Sequence, residues 1–474
     1  MPSKDPDADV LVVGGGPAAA TASRLLSLWG RRVVVVARPS TDDPELPESL
    51  TPSCGKFFDL MGIRPRIDAA GFVASRGHTV WWGSPAPRVE PFAEGLHGWQ
   101  VTTGRLSEVM LEEAAAAGTQ VLRRTATLEE VMGWPAAFRL DCTGRTGLIA
   151  RAHGRRRYEP GHRTVALISR WQAEGWPLDD PSHTLLESYE DGWAWSVPIT
   201  ATERAVAVMV DPRTTALTRG DGPAAVYRAE VAKTRRLRAL TSGAVLSGGP
   251  WGWDASMYSA DRPAGDDWLL VGDAASFVDP LSSAGVRKAM ASGWLAAVAV
   301  NTALAQPRLK EMALAYFAAR EAETYARFLA LTRRHLRDGA PADHPFWADR
   351  SAVEGDAEAV STDERPAVEA AFERLKAAPT PLGLRIGPEV RFATRPALTE
   401  RELVLERRLV TDRLPEGVRY LHGVDVVALV ELAGEASDVP GFYDEYRRRM
   451  GPMDPPPFLT ALATALARGW LIGG

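Results

Sequence analysis

The chain opens with a continuous apolar run that leads directly into glycines and then into small residues. Val10 to Val13 contains no polar position, which is typical of a strand that a parallel sheet buries on both faces. A helical pattern of small and apolar residues follows as far as Leu28, and a second, mostly apolar run spans Arg32 to Val36. This strand–helix–strand order predicts an α/β fold that begins with a Rossmann-like, doubly wound domain.

Alternating apolar and polar positions replace the continuous runs in two later parts of the chain. Short alternating segments with many turn residues fill Gly71 to Trp99, and four longer ones follow. A two-residue period is typical of antiparallel strands that have one buried face. We therefore predict an inserted antiparallel sheet whose later strands are Thr164 to Trp171, Thr184 to Tyr189, Gly192 to Val197 and Ala205 to Val210.

Helical spacing returns between and after these strands. Leu106 to Ala117 predicts a helix, and Gln120 to Arg123 predicts a strand that returns the chain to the first domain. Pro39 to Pro52 has no period and is predicted to be a loop, followed by a short helix at Cys54 to Ile63. Helices are predicted to dominate from Gly285 to about Leu336, before a connecting region with one short helix, Ala367 to Ala377, and a final section with helical segments.

These patterns divide the chain into four predicted parts, two of which are discontinuous. They are a Rossmann-like domain (1–70, 100–160 and 262–300), an antiparallel-sheet domain for the substrate (71–99 and 161–261), a helical region (301–398) and a small, mostly helical C-terminal domain (399–474). A winged helix is one interpretation of the last part.

Composition narrows the class of protein without identifying a function. The 474 residues are 45% hydrophobic and 24% charged, as in ordinary globular proteins, and the net charge of −5 offers no basic surface for nucleic acid. Cys54 and Cys142 lack the spacing of metal ligands, so no metal is expected. Residues 1–8 are too polar for a signal peptide, and the uncharged stretch Ala289 to Pro307 is alanine-rich, as in a buried helix. We expect a cytoplasmic protein without a membrane partner.

A glycine motif ends the first strand: Gly14-x-Gly16-x-x-Ala19 matches the dinucleotide-binding fingerprint, with alanine in the third place. Gly14 would permit the tight turn, and Gly16 would let the pyrophosphate approach the backbone. The helix would start at Pro17, and the free N–H groups that follow it, from Ala18 onward, would face the phosphates. A glycine turn that binds nothing is the alternative. The motif by itself fits NAD and FAD equally well.

A second junction between a strand and a glycine lies far along the chain, at Gly272-Asp273. A carboxylate at this place can accept a hydrogen bond from a ribityl hydroxyl, and the N–H groups of the helix start at Gly285-Val286 can face a flavin. Asp279-Pro280 would set the bend between them. An aspartate that only caps a helix would explain Asp273 but not the whole run, so the run favours FAD.

These motifs, together with Asp141-x-Thr143-Gly144-Arg145, resemble the FAD-dependent monooxygenase and halogenase superfamily in its tryptophan-halogenase-like branch. The resemblance covers about residues 9 to 300 and implies a p-hydroxybenzoate hydroxylase-like fold with FAD as the cofactor. Enzymes of many different reactions share these motifs. The residues that the motifs and the resemblance assign to FAD are Gly14, Gly16, Pro17, Ala18, Ala19, Arg38, Ser49, Arg105, Thr143, Gly144, Gly272, Asp273, Pro280, Ala284, Gly285 and Val286.

Two further stretches narrow the resemblance to one branch. The run Gly192 to Pro198 is similar to the WxWxIP motif of flavin-dependent halogenases, with valine in place of isoleucine. The resemblance implies that Trp193, Trp195 and Pro198 form a wall between flavin and substrate. Glu48 to Pro52 is similar to the flavin-contacting strap of the same branch. Paired tryptophans on a strand are also common core residues, which is the structural alternative.

The departures from this pattern concern the halogen relay. Within Phe72 to Gly77, Ser75 stands where halogenases carry the lysine that relays hypohalous acid. Arg76 points to the other face of a strand, Lys56 lies on an earlier helix, and Ser282 replaces a glutamate of the tryptophan halogenases. These departures favour an FAD-dependent monooxygenase that uses reduced FAD and O2 on an aromatic substrate. A halogenase of an indole, phenol or pyrrole is the alternative, and a non-catalytic protein that binds FAD as a structural ligand is a third hypothesis.

Catalytic groups and partners are hypotheses at this stage. His78, His97 and Asp279 are candidates for a catalytic base and Glu187 is a further one, although a lone histidine is more often an interior residue. His78 and His97 lie in tryptophan-rich stretches that resemble flavoproteins acting on tryptophan within a polypeptide. The expected substrate is therefore a small aromatic molecule or a peptide. The sequence contains no second dinucleotide fingerprint, which predicts that a separate flavin reductase supplies reduced FAD.

Two positions predict that FAD is held loosely. Ala37 stands where an acidic residue is expected to bind the adenosine ribose, and Arg38 follows it. Thr103 occupies the place of an arginine that contacts FAD in related flavoproteins, although Arg105 is near. We therefore predict that the flavin is lost on prolonged dialysis.

Overall fold

The computed structural model describes residues 7–39, 46–153, 156–215, 217, 222–340, 344–351, 364–377, 382–435 and 437–473. The chain forms two compact units, Met1–Glu354 and Gly355–Gly474.

The first unit contains most of the strands. They are β1 (Ala8–Val13), β2 (Val33–Ala37), β3 (Pro47–Leu50), β4 (Val73–Ser75), β5 (Gly77–Trp81), β6 (Arg88–Pro91), β7 (Gly98–Thr102), β8 (Gln120–Arg123), β9 (Ala136–Asp141), β10 (Arg156–Tyr158), β11 (Val165–Gln172), β12 (Thr184–Tyr189), β13 (Gly192–Pro198), β14 (Glu203–Val210), β15 (Val245–Asp254), β16 (Tyr258–Ala260), β17 (Trp268–Leu270) and β18 (Ser276–Phe277). Its helices are α1 (Pro17–Leu28), α2 (Gly55–Leu60), α3 (Arg64–Asp68), α4 (Thr103–Ala116), α5 (Leu128–Gly133), α6 (Leu148–His153), α7 (Pro223–Lys233), α8 (Arg236–Thr241), α9 (Gly285–Ala305), α10 (Lys310–Gly339) and α11 (Pro345–Ser351).

A five-stranded parallel sheet forms the base of this unit, in the order β17-β9-β1-β2-β8. Val10 to Val13 are buried because β1 lies at the centre and has a strand on each side and helices over its faces. α1 lies against α9 so closely that a side chain at Gly293 would contact the carbonyl oxygen of Ala18. The predicted α/β fold class with a Rossmann-like first domain is confirmed.

A seven-stranded sheet, in the order β15-β11-β14-β13-β12-β5-β6, is the predicted inserted sheet. Its pairs are antiparallel except for β12 and β5, which run parallel. One face carries Leu167, Val206 and Val208 and packs against Tyr227 of α7 and Leu237 of α8. The opposite face carries the tryptophans of β13 and packs in part against Leu336 of α10 and Trp347 of α11.

A three-stranded antiparallel sheet, β3-β7-β4, corrects two predictions. β3 was expected to be loop, but Ser49 and Leu50 pair with Gln100 and Trp99 of β7. β4 and β7 come largely from the segment 71–99 that was assigned to the substrate sheet, and only β5 and β6 of that segment join it. The helix expected at Cys54 to Ile63 is shorter and is followed by α3.

The long uncharged stretch predicted to be a buried helix lies mostly within α9, which has a largely buried surface against α1 and α10. A helical stretch that the sequence predicts from about Ala224 to Leu240 is divided into α7 and α8. Within the described ranges, no helix combines the length and the apolar character that a membrane crossing requires.

The second unit combines helices with a small sheet. Its elements are α12 (Arg365–Lys376), β19 (Arg385–Ile386), β20 (Arg391–Leu398), β21 (Leu403–Thr411), β22 (Leu414–Val418), β23 (Tyr420–Leu421), β24 (Val424–Asp425), α13 (Val426–Leu432), α14 (Val439–Met450), α15 (Pro455–Ala467) and β25 (Leu471–Ile472). The hydrophobic core of this unit contains three aromatic rings in contact, those of Phe442, Tyr446 and Phe458. The boundary predicted at residue 399 falls between β20 and β21, which pair along their length, so these strands belong to one domain rather than to two.

Candidate functional site

Two large cavities lie in the first unit and share Thr103. The first, which we call the aromatic cleft, encloses about 1230 Å³ including its mouth and is lined by strands β11 to β15, by β3 and by the start of α9. The second, the nucleotide cavity, encloses about 1710 Å³ at the carboxyl ends of β1, β2 and β9. Ligands of open α/β sheets bind at this edge, so the two cavities together suit a long dinucleotide.

The turn after β1 opens onto the nucleotide cavity. Gly14 has φ +119°, and a Cβ at this residue would lie 2.1 Å from the carbonyl oxygen of Cys142. No atom lies within 4 Å of the place where a Cβ of Gly16 would be, so the space over the start of α1 is open. Arg38 lines the same cavity. This open backbone at a helix start is the cradle that a pyrophosphate requires.

The end of β9 is held by the carboxylate of Asp141. One oxygen accepts hydrogen bonds from the N–H and hydroxyl of Thr143 (3.1 and 2.6 Å), and the other accepts from the N–H groups of Ile149 and Ala150 (2.7 and 3.1 Å). These bonds shape the loop so that Thr143 and Gly144 line the nucleotide cavity and Arg145 lines the aromatic cleft.

The turn at Gly272-Asp273 is fastened by α9. The N–H of Gly272 donates to Ser292 Oγ (2.8 Å), and Lys288 Nζ donates to the carbonyl oxygens of Gly272 (3.2 Å) and Ser276 (2.5 Å). Lys288 is buried and its Nζ lies 3.5 Å from Asp273 Oδ1. Asp273 itself lines the aromatic cleft. The sequence analysis missed Lys288, because a lysine at a helix start shows no sign of these partners.

Side chains of opposite charge line part of the aromatic cleft. Glu48, Asp273 and Arg145 all line it, and the guanidinium of Arg145 lies 5.0 Å from the ring centre of Phe277. Desolvation and the nearby Asp273 carboxylate raise the pKa of Glu48 to about 7, although Arg145 partly offsets them. These charged side chains can bind the hydroxyls and the polar edge of a flavin.

Most of the remaining side chains that line the cleft are apolar. Trp193 and Trp195 lie two residues apart on β13 and therefore face the same side of the sheet, towards the cleft. Trp253 of β15 adds a third indole that the sequence analysis did not single out. Pro198, the third predicted wall residue, is buried but does not line the cleft. The apolar lining is completed by Ala166, Ile168, Leu186, Val197, Met209 and Ala255.

No lysine lines the aromatic cleft among the residues that the structure describes. Lys56 is exposed on α2, and Lys288 is enclosed by the turn that it fastens. Ser75 is fully buried on β4. Ser282, at the position of the glutamate, donates its hydroxyl to the carbonyl oxygen of Asp279.

The candidate catalytic bases do not gather at one point. His78 is packed edge-on against Phe92, and burial lowers its pKa. His97 is exposed beside Asp68, outside both cavities. Asp279 is buried between two residues that line the cleft, and its carboxylate accepts a hydrogen bond from the N–H of Leu281 (2.9 Å). Their catalytic roles stay predictions.

Glu187, the further candidate for a base, holds the start of α8. Its carboxylate accepts hydrogen bonds from the N–H groups of Arg235 (2.5 Å), Arg236 (2.9 Å) and Leu237 (2.9 Å). These contacts give it a structural task on the face of the sheet that is turned away from the tryptophans.

The residues assigned to FAD divide into three groups by position. Five line the nucleotide cavity: Gly14, Gly16, Arg38, Thr143 and Gly144. Six line the aromatic cleft: Pro17, Ser49, Asp273, Pro280, Gly285 and Val286. The remaining five line neither: Ala18, Ala19, Gly272 and Ala284 are buried beside the cavities, and Arg105 is exposed.

Comparison with known proteins agrees with this geometry. A family model described as tryptophan halogenase matches residues 126–363, half of the chain, and one described as an FAD binding domain matches residues 7–146. The flavin-dependent halogenase armH4 of Armillaria mellea is 23% identical, over 84% of this chain and 88% of that protein.

Two solved structures match almost the whole chain. The flavin-dependent halogenase CmlS has a TM-score of 0.77 at 21% identity, over 99% of this chain and 96% of that one. The peptidyl tryptophan dihydroxylase QhpG has a TM-score of 0.67 at 21% identity, over 98% and 100%. At these identities the likeness shows the fold alone. With the FAD-binding model and the cradle described above, the cofactor is FAD, and the comparisons support halogenation better than the monooxygenation preferred from the sequence.

Proposed function

The chain belongs to the tryptophan halogenase family, and from this membership we propose that it uses reduced FAD, O2 and a halide ion to halogenate an electron-rich aromatic ring. The observation that supports the proposal is the lining of the aromatic cleft, which combines the charged side chains of Glu48, Asp273 and Arg145 with three indoles. Reduced FAD supplies the two electrons that activate O2. The protein's own task is to keep the flavin and the aromatic substrate at opposite ends of one enclosure.

The polar and the apolar side chains of the cleft have separate tasks in this proposal. Asp273, which Lys288 holds in place, would accept a hydrogen bond from a ribityl hydroxyl. The start of α9 at Gly285 would face the flavin ring. Trp193, Trp195 and apolar neighbours would contact the substrate and exclude water from the reacting ring. This lining favours an indole, phenol or pyrrole, free or within a peptide.

Product analysis tests the proposal directly. The protein would be incubated with FAD, NADH, a flavin reductase, O2 and bromide, together with a panel of indoles, phenols, pyrroles and tryptophan-containing peptides. We expect a brominated product by mass spectrometry that requires both proteins and bromide. An oxygenated product of equal yield with and without bromide would contradict halogenation. If the protein does not increase substrate conversion at all, the third hypothesis, a non-catalytic FAD-binding protein, gains support.

A second candidate function is oxygenation of the aromatic ring. One observation favours it: among the described residues, no lysine amine lines the cleft, and Ser75 stands at the position of the relay lysine. A hydroxyl cannot capture hypohalous acid as an amine can. The same product analysis separates the two functions, because oxygenation adds oxygen without any requirement for halide.

Reduced flavin is proposed to come from a separate reductase. The fingerprint at Gly14 is the only dinucleotide motif in the sequence. NADH alone is therefore expected to leave the flavin absorbance of the purified protein unchanged under anaerobic conditions. Rapid bleaching by NADH without added reductase would overturn this part of the proposal.

A further inference from the structure

A row of three buried polar side chains connects the small sheet to the large one and ends at the aromatic cleft. Gln100 Nε2 lies 3.0 Å from Thr184 Oγ1, and Thr184 Oγ1 lies 2.7 Å from Ser49 Oγ. Their exposed fractions are only 2%, 3% and 7%. Ser49 and Thr184 line the cleft, whereas Gln100 lies behind them on β7.

The direction of every hydrogen bond in this row is determined by one carbonyl group. Gln100 Nε2 also lies 3.2 Å from the carbonyl oxygen of Ser182. A carbonyl oxygen can only accept, so the amide nitrogen of Gln100, and not its oxygen, must face Ser182 and Thr184. Thr184 therefore accepts a hydrogen bond from Gln100. The geometry of the second bond makes Thr184 the donor and Ser49 the acceptor.

Ser49 is left with one proton to donate. Its Oγ takes part in the bond from Thr184 and in no other hydrogen bond among the described residues. Since the oxygen already accepts from Thr184, the remaining O–H is directed away from it, and Ser49 borders the cleft. The row thus presents an oriented donor to the occupant of the cleft.

We propose that Gln100 and Thr184 are positioning residues that hold the Ser49 hydroxyl as a hydrogen-bond donor to the flavin ring. The partner would be a carbonyl oxygen of the flavin ring, an acceptor that gains negative charge when the flavin is reduced. This inference rests on FAD as the cofactor and is independent of whether the product is halogenated or oxygenated. A donor to a flavin carbonyl stabilises the negative charge of reduced flavin, so the row raises the midpoint potential of the bound cofactor.

Three single variants separate this role from general packing. Ser49→Ala removes the donor, Thr184→Val removes the link while keeping the shape, and Thr184→Ser restores a hydroxyl at the link. Each would be loaded with FAD and compared with the wild type by visible absorption, by FAD titration and by the midpoint potential from dye equilibration. Thr302→Val, which changes a buried threonine of α9 whose hydroxyl donates to the carbonyl oxygen of Val298, is the matched control.

We expect Ser49→Ala and Thr184→Val to lower the midpoint potential, shift the flavin spectrum alike and weaken FAD binding about fivefold, as for one lost hydrogen bond. Thr184→Ser and Thr302→Val should resemble the wild type. The double variant Ser49→Ala with Thr184→Val should equal Ser49→Ala alone, because both changes interrupt the same row. Unchanged spectra and potentials in Ser49→Ala, or additive effects in the double variant, would overturn the proposal. Circular dichroism of each variant excludes misfolding, and a failure to detect any product leaves these readouts intact.

Discussion

A Cβ added to Gly14 would lie 2.1 Å from the carbonyl oxygen of Cys142, so the end of β9 leaves no room for a side chain at the turn after β1. The contact is reinforced by the hydrogen bond from the N–H of Cys142 to the carbonyl oxygen of Val13 (2.8 Å). This approach places the Gly14 turn and the Thr143 loop on the same cavity. The glycine is therefore required by the sheet as well as by the nucleotide.

Replacing Gly14 by alanine should damage the fold itself. The left-handed backbone at φ +119° and the contact with Cys142 would both disfavour a side chain, for a loss of more than about 2 kcal/mol in the free energy of unfolding. Urea unfolding, followed by circular dichroism, measures this loss. The FAD content of the purified variant should fall at the same time.

Gly16→Ala provides the matched control. Gly16 has φ −81°, which alanine adopts readily, and its Cβ would meet no atom within 4 Å. The variant should unfold like the wild type to within about 0.5 kcal/mol while its affinity for FAD falls, because the methyl group enters the space over the helix start. Equal FAD affinity in Gly16→Ala and the wild type would contradict the assignment of this turn to the pyrophosphate.

Removal of the buried amine of Lys288 should loosen the Asp273 turn. Lys288→Met deprives the carbonyl oxygens of Gly272 and Ser276 of their donor and leaves Asp273 without its cation, for an expected loss of about 2 to 4 kcal/mol. FAD affinity should fall because Asp273 no longer has a fixed position. Chemical unfolding and flavin fluorescence titration measure both effects, and the exposed Lys376→Met should change neither.

The first sheet could be predicted because its information is local. Val10 to Val13 and the glycines that follow form one short stretch, and a continuous apolar run is enough to indicate a buried strand. β3 could not be predicted in this way. Its sequence, Pro-Glu-Ser-Leu, resembles a loop and becomes a strand only because Ser49 and Leu50 pair with Gln100 and Trp99, about fifty residues further on.

The same limit applies to the candidate site. Trp193 and Trp195 could be placed on one face of a strand from their two-residue spacing, and they do line the cleft. Gln100 and Thr184, by contrast, have no motif, and their connection to Ser49 exists only where two sheets meet. Glu187 was a plausible base by residue type, but its three backbone partners lie at the start of α8, forty-eight to fifty residues later.

Glu187→Ala should therefore be a stability variant and not a catalytic one. It would leave the N–H groups of Arg235, Arg236 and Leu237 without their acceptor beneath the sheet, at an expected loss of about 2 to 4 kcal/mol. Glu187→Gln keeps one acceptor oxygen and should lose less. Any product formation should persist in Glu187→Gln at wild-type rate below its unfolding temperature. A large fall in turnover with unchanged stability would restore Glu187 as a candidate base.

Asp279 should make the stability of the protein depend on pH in an unusual direction. Burial raises the pKa of its carboxyl to about 6, despite the N–H of Leu281 and the nearby Arg350, which both favour the charged form. A carboxyl with a raised pKa binds its proton more tightly in the folded state than in the unfolded state. The stability that this proton binding adds to the folded state is fully present below about pH 4 and is lost as the pH rises through about 6. The difference from the ordinary value of 3.8 corresponds to about 3 kcal/mol.

Asp279→Asn isolates this contribution, because the amide oxygen can still accept from Leu281 but cannot ionise. We expect the variant to match the wild type near pH 4 and to exceed it by up to about 3 kcal/mol at pH 8, as measured by urea unfolding of the FAD-free protein at both values. Other carboxyls with raised pKa values, such as Glu48, are common to both proteins and cancel in the comparison. If the wild type were the more stable protein at pH 8, Asp279 would instead be held as a carboxylate in the folded state. A carboxylate held in this way would fit the predicted role of Asp279 as a catalytic base.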